Sequence, residues 1–342
     1  MKRRSVWFSA PGCVEVREEE VGRPGPGQAL VKARLSAISP GTELLFFRGQ
    51  VPEEMALDET ISGLGDAARY PFKYGYASVG EIMAVGPGVA PDWLGRRVFC
   101  FHPHESAYLV ELDELKPIPE GMAWEDAIFL PNMETAINFV MDGAPLVGET
   151  AAVFGLGVVG LLTSAVLAQM PLSLLVGLDP LPNRREEAAR LGAGLCLDPA
   201  QADGLAQAVN AAQAAGSPGG VDLAFECSGA PRALDQAIAV TGYAGRIVIG
   251  SWYGKKPVAL NLGGTFHRSR IRLISSQVST LAPELSGRWS KQRRFGAAWE
   301  QIRRIRPAKW VTQRFEIGEA QQAYRLLDEG GGEAVQVVLE YP

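Results

Sequence analysis

Hydrophobic residues follow two different patterns along the chain. In the first third, apolar and polar residues alternate over short segments separated by Gly and Pro. In residues 28–38, for example, Val31 and Leu35 lie on the apolar face. This alternation predicts half-buried strands joined by tight turns. From residue 151 onwards, short apolar runs alternate with amphipathic segments such as residues 183–191. That pattern predicts strands connected by helices in a parallel sheet.

The most informative stretch is a glycine motif near the middle of the chain. The apolar run 151–154 leads into Gly155-x-Gly157-x-x-Gly160, and a further apolar segment follows. In a strand–turn–helix unit, the first glycine permits the turn, the second lets the backbone approach a pyrophosphate, and the third lets helix and strand pack closely. The helix N-terminus adds free N–H groups and the positive end of its dipole. The predicted dinucleotide-binding residues of this turn are Gly155, Leu156, Gly157, Val158, Val159 and Gly160.

A carboxylate follows the next predicted strand. Asp179 ends the apolar run 174–178, about twenty residues beyond the motif, where a dinucleotide-binding fold presents an acidic side chain to the adenosine ribose. Such a carboxylate accepts hydrogen bonds from the ribose hydroxyls and repels a 2′-phosphate, so we predict NAD as the cofactor. Arg184, which we include among the cofactor-binding residues, and Arg185 lie close by and leave NADP open. A glycine-rich turn in another α/β unit, with a solvated Asp179, is the alternative that requires no cofactor.

The second half predicts six strands alternating with helices, and hence a doubly wound parallel sheet of order 3-2-1-4-5-6. Ligands of such sheets bind at the carboxyl ends of the strands. The predicted cofactor-contacting residues at these ends are Ser228, Gly250, Ser251 and Ser276. Residues 251–254 and 266–270 add an aromatic and basic cluster, which favours an aromatic or anionic small-molecule substrate. A solvated turn or a subunit contact is the other interpretation of His267 and Arg268.

Length, charge and cysteine content limit the classes of protein to which the chain can belong. The 342 residues suffice for two domains with separate cores. A net charge of −5 gives no reason to expect a nucleic-acid partner. The apolar runs are too short for a signal peptide or a membrane span, so we expect no membrane association. The four cysteines are scattered without a Cys-x-x-Cys pair, which is typical of reduced thiols in a cytoplasmic protein.

Four motifs in the first third carry a resemblance to a known family. They are Pro-Gly-Pro-Gly-Gln-Ala-Leu-Val at 24–31, Pro-Gly-Thr-Glu at 40–43, Gly-Tyr-Ala-Ser-Val-Gly-Glu-Ile at 75–82 and Gly-Arg-Arg-Val at 95–98. Their order resembles that of the medium-chain dehydrogenases/reductases, the alcohol dehydrogenase-like superfamily, over nearly the whole chain. The resemblance implies an α/β protein with a Rossmann doubly wound parallel sheet plus a GroES-like β-rich domain, assembled as a homodimer.

The resemblance also implies domain boundaries. We expect residues 1–131 to form the first part of the GroES-like catalytic domain and residues 132–278 to form the Rossmann domain. Residues 279–342 then return and complete the catalytic domain. No long Ser-, Gly- or Pro-rich linker marks either crossing, which fits two domains that share a cleft.

The positions of the family's catalytic zinc ligands hold unsuitable residues. Pro40 stands where zinc-dependent members carry Cys, Tyr76 where they carry His, and Pro131 roughly where they carry the third ligand. Proline has no side-chain donor atom, and tyrosine is a poor zinc ligand. The four closely spaced cysteines of the structural zinc lobe are absent as well. The chain therefore resembles a zinc-lacking branch, and we expect no metal.

One His-x-His pair remains as a metal hypothesis. His102-Pro-His104-Glu105 has a suitable spacing but no evident third ligand nearby in sequence, so a loop with ordinary histidines is the preferred interpretation. The resemblance places this loop beside the substrate pocket, which makes substrate contact or proton transfer by His104 the functional alternative.

Without zinc, side chains must handle the proton of a hydride-transfer reaction. The resemblance implies that Tyr76 and Thr42 face the nicotinamide ring, and that the backbone around Gly250 and Ser276 lines it. We predict Tyr76 as hydrogen-bond donor or acid, Thr42 as donor or relay, and His104 as a third catalytic residue. Glu43 and Glu134 are weaker candidates. An aromatic ring that only fills the vacated metal volume is the alternative for Tyr76.

The predicted function is a zinc-independent NAD(P)(H)-dependent oxidoreductase. Its substrate would be a carbonyl, a conjugated enone or an activated secondary alcohol. Residues 38–43 and 73–80 also resemble the bacteriochlorophyllide hydroxyethyl dehydrogenase group, which favours benzylic-type alcohols. The alternative from another class is a non-catalytic dinucleotide-binding sensor or structural protein of the same fold.

Overall fold

A computed structural model describes residues 1–52, 54–58, 61, 64–65 and 67–342. In chain order the strands are β1 (Lys2–Ala10), β2 (Cys13–Glu20), β3 (Gln28–Ile38), β4 (Phe72–Lys73), β5 (Ser78–Val85), β6 (Arg97–Cys100), β7 (Ala107–Glu111), β8 (Lys116–Pro117), β9 (Thr150–Phe154), β10 (Leu174–Leu178), β11 (Leu195–Leu197), β12 (Val221–Glu226), β13 (Thr241–Ile249), β14 (Arg272–Ser275), β15 (Val311–Glu316) and β16 (Gln336–Glu340). The helices are α1 (Pro40–Phe47), α2 (Trp124–Ala127), α3 (Leu130–Gly143), α4 (Val158–Leu167), α5 (Pro182–Arg190), α6 (Gly204–Ala214), α7 (Pro231–Val240), α8 (Lys291–Ile305) and α9 (Ala320–Asp328).

The chain forms two compact units. The first contains residues 1–131 and 302–342, and the second contains residues 132–301. In the first unit, a seven-stranded sheet has the order β15-β16-β3-β5-β6-β8, with β7 also paired to β3. A three-stranded sheet has the order β2-β1-β4. The long strand β3 is central because its alternating apolar residues are buried while Lys32 and Arg34 are exposed.

An aromatic cluster anchors α1 and α9 in the first unit. The ring of Phe8 on β1 stacks on Phe72 at 5.4 Å and meets Tyr324 of α9 edge-on at 5.2 Å. Phe46 of α1 lies 4.2 Å from Tyr74, between ring centroids. These rings are all buried, and such pairs stabilise a core beyond the area they bury. The cluster fixes the helices that carry several polar residues described below.

The second unit is a parallel sheet of six strands in the order β11-β10-β9-β12-β13-β14. Numbered within the unit this is 3-2-1-4-5-6, so the predicted α/β class and strand order are confirmed. The central strand β9 is buried along its whole length, as expected for a parallel sheet with helices on both faces. Among the residues that the structure describes, no helix is both long enough and apolar enough to cross a membrane.

Residues 279–301 remain with the second unit, whereas the sequence placed the return to the first domain at residue 279. The cause is Arg294 on α8, which is fully buried. Its Nε and Nη2 donate to Glu134 Oε1 at 3.0 and 2.7 Å, and its Nη1 donates to Asn138 Oδ1 and to the carbonyl of Thr280. A buried guanidinium needs such partners, so α8 is tied to α3.

Candidate functional site

The glycine turn of the second unit is built by close backbone approach. Gly155 has φ +85°, and a Cβ there would lie 2.5 Å from Ser228 Cα. A Cβ on Gly160 would lie 1.8 Å from the carbonyl oxygen of Gly155. Both positions therefore require glycine for the fold itself. Helix α4 begins directly after the turn at Val158, so its first N–H groups lie at the carboxyl end of β9.

Gly157 differs from these two glycines. The nearest atom to a Cβ at this position would be Arg184 Nη1, at 3.8 Å. The fold therefore does not need glycine here, and the space in front of its backbone is open. That openness fits the predicted approach of a pyrophosphate. Leu156 fits the prediction less well, because its side chain is fully buried and its N–H is bonded to Asp179.

Asp179 lies at the end of β10 against the glycine turn. One carboxylate oxygen accepts the N–H of Leu156 at 2.7 Å, and the other accepts the N–H of Leu181 at 2.8 Å. Arg184 Nη1 is 3.8 Å from the first of these oxygens. The structure thus brings Asp179 and Arg184 together, so that a carboxylate and a guanidinium lie side by side next to the glycine turn.

The other predicted cofactor residues lie at the carboxyl ends of β12, β13 and β14, as the strand order requires. Ser251 Oγ accepts the N–H of Gly229 at 2.8 Å. A Cβ on Gly250 would lie 2.1 Å from the ring of Phe139, so glycine is again a packing requirement. The hydroxyl of Ser276 donates to Asp142 Oδ2 at 2.5 Å. Both serine hydroxyls are engaged with the protein, and the N–H of Ser276 also donates to the carbonyl of Ile249 at 3.0 Å.

Sequence reasoning missed a buried carboxylate at the carboxyl ends of these strands. Glu226, the last residue of β12, is fully buried. It accepts the N–H and the hydroxyl of Ser228 at 2.7 and 2.5 Å, and the hydroxyl of Tyr253 at 2.6 Å. Burial, followed by the adjacent Glu226 charge, raises the pKa of Tyr253. The signal in the sequence was a lone Glu at the end of an apolar strand, which periodicity does not distinguish from a surface residue.

The basic turn around His267 and Arg268 lies at the opposite ends of the strands from the predicted cofactor residues. Strands β13 and β14 pair from Arg246 with Arg272 to Ile249 with Ser275, and the turn precedes this pairing. The N–H of Ala244 also donates to the carbonyl of Ser269 at 2.6 Å. The turn therefore lies at the amino ends of the strands. A substrate site formed by His267 and Arg268 near the predicted cofactor residues, which lie at the carboxyl ends, is not supported.

Three hydroxyl groups meet in the first unit. The hydroxyl of Tyr76 donates to Ser39 Oγ in a very short hydrogen bond and lies 3.5 Å from Thr42 Oγ1. All three residues are half-buried. The surroundings of the Tyr76 hydroxyl nevertheless desolvate it, and this burial raises the pKa of Tyr76 to about 12, although the hydrogen bonds to Ser39 and Thr42 lower it. Tyr76 is thus a neutral hydrogen-bond donor at neutral pH.

His104 is not part of an accessible cluster. It is fully buried, its Nε2 is 2.9 Å from Glu43 Oε2, and its Nδ1 is 2.6 Å from Ser36 Oγ. Direct contact with a substrate or proton exchange with solvent is therefore not supported for His104. Glu134, the other weak candidate, is held by Arg294 in the second unit. The neighbouring His102 stacks on Tyr108 with ring centroids 3.8 Å apart.

Comparison with known proteins adds to this geometry. A family described as "Zinc-binding dehydrogenase" matches residues 158–293. The chain is 26% identical over 307 residues to D-guloside 3-dehydrogenase of Escherichia coli (strain K12), covering 85% of this chain and 86% of that protein. It is 29% identical over 270 residues to (R,R)-butanediol dehydrogenase of Bacillus subtilis (strain 168), covering 70% and 75%. The fold is similar to that of a short chain alcohol dehydrogenase from E. coli CFT073 complexed with NADH, with a TM-score of 0.78, 20% identity and 99% of each chain covered.

In sequence and fold the chain is similar to the alcohol dehydrogenase-like medium-chain dehydrogenases/reductases. It is an NAD(P)-dependent oxidoreductase of that type. The resemblance stated from the motifs of the first third is thereby confirmed at the level of the family. Membership of a zinc-lacking branch is a narrower statement that stays a prediction, based on the donor atoms present in this chain.

The residues present do not fit the family's catalytic zinc. At the three expected ligand positions, Pro40 and Pro131 offer no side-chain donor atom, and the Tyr76 hydroxyl is a poor zinc ligand. His104 and Glu43 bind each other instead. Among the described residues, no three His, Cys, Asp or Glu side chains converge on one point. Tetrahedral zinc requires three protein ligands of this kind in catalytic sites, so no step of the chemistry below is assigned to a metal.

Proposed function

We propose that this chain is a zinc-independent oxidoreductase that transfers hydride, with NAD(H) as cofactor, to or from a carbonyl, a conjugated enone or an activated secondary alcohol. The observation that carries the proposal is the hydroxyl cluster of Tyr76, Ser39 and Thr42. By the family resemblance, Tyr76 stands at a zinc-ligand position of the zinc-dependent members, and Thr42 lies beside another. A bound nicotinamide supplies or accepts the hydride, and the remaining task of the protein is to stabilise the substrate oxygen and to move one proton.

The cluster can perform that task in the reductive direction. As hydride reaches the carbonyl carbon, negative charge develops on the carbonyl oxygen, and a hydroxyl donor stabilises it. A proton from the cluster then completes the alcohol. The raised pKa of Tyr76, about 12, keeps this proton in place at neutral pH. Oxidation of an alcohol needs the phenolate as base, and only about one molecule in ten thousand carries it at pH 8. The cluster therefore favours rapid reduction over rapid oxidation near neutral pH.

Residues of the second unit support NAD(H) as the proposed cofactor. The open face of Gly157 and the N-terminus of α4 suit a pyrophosphate. The carboxylate of Asp179 at the end of β10 suits ribose hydroxyls and repels a 2′-phosphate. Arg184, 3.8 Å from that carboxylate, is the group that would favour NADP(H). The E. coli CFT073 protein of the same fold was solved with NADH, which fits this choice.

Single-turnover and steady-state assays test the proposal. Purified protein, dialysed against EDTA, would be offered enones, quinones, aryl ketones and aryl secondary alcohols with NADH and with NADPH. We expect turnover that survives EDTA, a preference for NADH, and a loss of about 100-fold in kcat for Tyr76→Phe. Thr42→Val should reduce kcat less. A strict requirement for stoichiometric zinc would overturn the proposal.

The same panel separates the alternative from another class. A non-catalytic sensor or structural protein would bind NADH tightly, because the glycine turn is complete, yet oxidise none of it with any carbonyl. The proposal also keeps a cytoplasmic location and the homodimer that the family resemblance implies. Sedimentation of the purified chain would test the homodimer.

A further inference from the structure

We propose that the buried pair Glu43–His104 is a positioning device that holds the Tyr76–Ser39–Thr42 hydroxyl cluster in place. The inference rests on the proposed function, because it identifies the residues that hold the hydroxyl cluster to which the proposed function gives a catalytic role. The cluster is drawn from two separate parts of the first unit. Ser39 and Thr42 belong to the start of α1, whereas Tyr76 precedes β5. A donor cluster assembled from two segments needs a connection between them if its hydroxyls are to keep one geometry.

Glu43 provides the contact with the first segment. Its Oε1 accepts the N–H of Ser39 at 2.7 Å. The N–H of Glu43 in turn donates to the carbonyl of Ser39 at 2.8 Å. The carboxylate thus closes the first turn of α1 over Ser39 and Thr42, as an acidic group near a helix N-terminus does. No side-chain cap from Ser39 performs this function, so Glu43 fixes the backbone on which two of the three hydroxyls stand.

His104 provides the contact with the second segment. A Cβ on Gly75 would lie 2.8 Å from both Cδ2 and Nε2 of the His104 ring. Gly75 has φ +126° and directly precedes Tyr76. The imidazole ring therefore packs closely against the backbone that directly precedes Tyr76. The N–H of His104 also donates to the carbonyl of Tyr74 at 3.3 Å, which adds a hydrogen bond on the other side of Gly75.

The link between the two contacts is the hydrogen bond from His104 Nε2 to Glu43 Oε2, at 2.9 Å. A carboxylate can only accept, so Nε2 carries the proton and Nδ1 accepts from Ser36 Oγ at 2.6 Å. Tyr341 then donates to Ser36 at 2.6 Å, and Tyr324 donates to Glu43 in a very short hydrogen bond. Every polar group of this network has a partner.

The order Ser36, His104, Glu43 matches that of a nucleophile, base and carboxylate, but burial excludes such chemistry. Ser36, His104, Glu43 and Tyr324 are 0% exposed and Tyr341 is 2% exposed. No substrate reaches Ser36 Oγ, so the network acts on structure. A satisfied buried network of this kind rigidifies the segments that it joins, and those segments carry the hydroxyl cluster.

Nuclear magnetic resonance of Tyr76 tests the positioning without any substrate. The protein would be labelled with 13Cζ-tyrosine, and the Tyr76 signal would be assigned as the one missing from Tyr76→Phe. His104→Leu removes both ring hydrogen bonds at similar volume. His104→Gln restores one donor and one acceptor. His102→Leu is the matched control, because His102 lies in the same loop but stacks on Tyr108.

We expect the Tyr76 signal to shift or split in folded His104→Leu, and to stay near the wild-type position in His104→Gln and His102→Leu. Glu43→Gln is a second test should His104→Leu fail to fold. Its amide has only one acceptor oxygen, so it cannot accept both from the Ser39 N–H and from His104 with Tyr324, and the Tyr76 signal should move. A Tyr76 signal that is unchanged in Glu43→Gln and in any folded His104→Leu would overturn the inference. Equal shifts in His104→Leu and His102→Leu would also overturn it.

Kinetics give the second readout. On a carbonyl that the wild type reduces, His104→Leu should lower kcat at least about tenfold, and His104→Gln should recover most of this loss. The Kd for NADH should not change, because the proposed dinucleotide residues lie in the second unit. If the wild type reduces no carbonyl, the proposed function fails, whereas the resonance of Tyr76 still decides the positioning.

Discussion

The imidazole ring of His104 occupies the space that a side chain at position 75 would need. The Cβ of such a side chain would lie 2.8 Å from two ring atoms, and Gly75 has a backbone φ of +126°. The ring cannot move aside easily, since Glu43 and Ser36 hold its two nitrogens. One glycine therefore satisfies both a steric and a conformational demand directly before Tyr76.

Gly75→Ala should destabilise the protein by about 3 kcal/mol, because it combines overpacking with a strained backbone. Gly41→Ala is the matched control in the same unit. A Cβ on Gly41 would meet no atom within 4 Å, and its stability should change by less than about 1 kcal/mol. Equilibrium urea unfolding of both variants measures the difference. Equal stabilities would contradict the placement of His104 against Gly75.

The buried ion pair Arg294–Glu134 of the second unit predicts that two substitutions change the free energy of unfolding in a non-additive way. Arg294→Met leaves the Glu134 carboxylate without its guanidinium and should cost about 3–5 kcal/mol. The double variant Arg294→Met, Glu134→Leu removes both charges and should recover much of this loss. Urea unfolding of the single and double variants forms a double-mutant cycle. A double variant that is less stable than Arg294→Met would show that the carboxylate is not what makes the single change costly.

Two glycines of the same turn should behave differently. A Cβ on Gly160 would overlap the carbonyl oxygen of Gly155, at 1.8 Å, so Gly160→Ala should damage the fold itself. A Cβ on Gly157 would meet only Arg184, at 3.8 Å. Gly157→Ala should therefore change the free energy of unfolding by no more than about 1 kcal/mol, yet weaken NADH binding at least about tenfold. Calorimetric titration measures the affinity, and an unchanged Kd would remove the assigned role of Gly157.

His102 should contribute to the loss of stability in acid. Burial lowers its pKa to about 4, below the ordinary value of about 6.5. Between these two pH values the His102 imidazole therefore binds a proton in the unfolded chain but not in the folded chain. Stability due to this group is fully present above about pH 6.5 and is lost as the pH falls through about 4. His102→Gln should lose about 3 kcal/mol less stability than wild type between pH 7 and 4. Parallel unfolding profiles for the two proteins would contradict this.

Tyr76 should give the two reaction directions opposite pH profiles. Since its pKa is raised to about 12, the phenol is present throughout the neutral range, and the rate of carbonyl reduction should not vary with this group up to about pH 10. The rate of alcohol oxidation should rise about tenfold per pH unit, because it follows the phenolate fraction. Tyr76→Phe should abolish the slope. Stopped-flow measurement of hydride transfer in both directions provides the test, and a flat oxidation profile would exclude Tyr76 as the base.

The sequence by itself determined the parts of this protein that depend on local pattern. Short apolar runs alternating with amphipathic helices produced the parallel sheet in the predicted order, because each element must bury its own apolar face. The glycine turn at Gly155 and the carboxylate at Asp179 were found for the same reason, since their spacing belongs to a single strand–turn–helix–strand unit. Proline at two of the expected ligand positions was enough to predict the lack of zinc without coordinates, since no fold gives proline a donor atom.

Only the tertiary structure decided what the polar residues do. His104 pairs with Glu43 across 61 positions and Arg294 pairs with Glu134 across 160, and no periodicity encodes such partners. The first pairing turned a candidate catalytic histidine into a buried support, and the second kept residues 279–301 with the second unit. A substrate role near the cofactor was one of two interpretations of His267, and the strand direction places this residue at the amino ends of the strands instead. A local pattern fixes which face of an element is apolar, whereas the partner of a buried charge depends on which distant segment the packed core brings beside it.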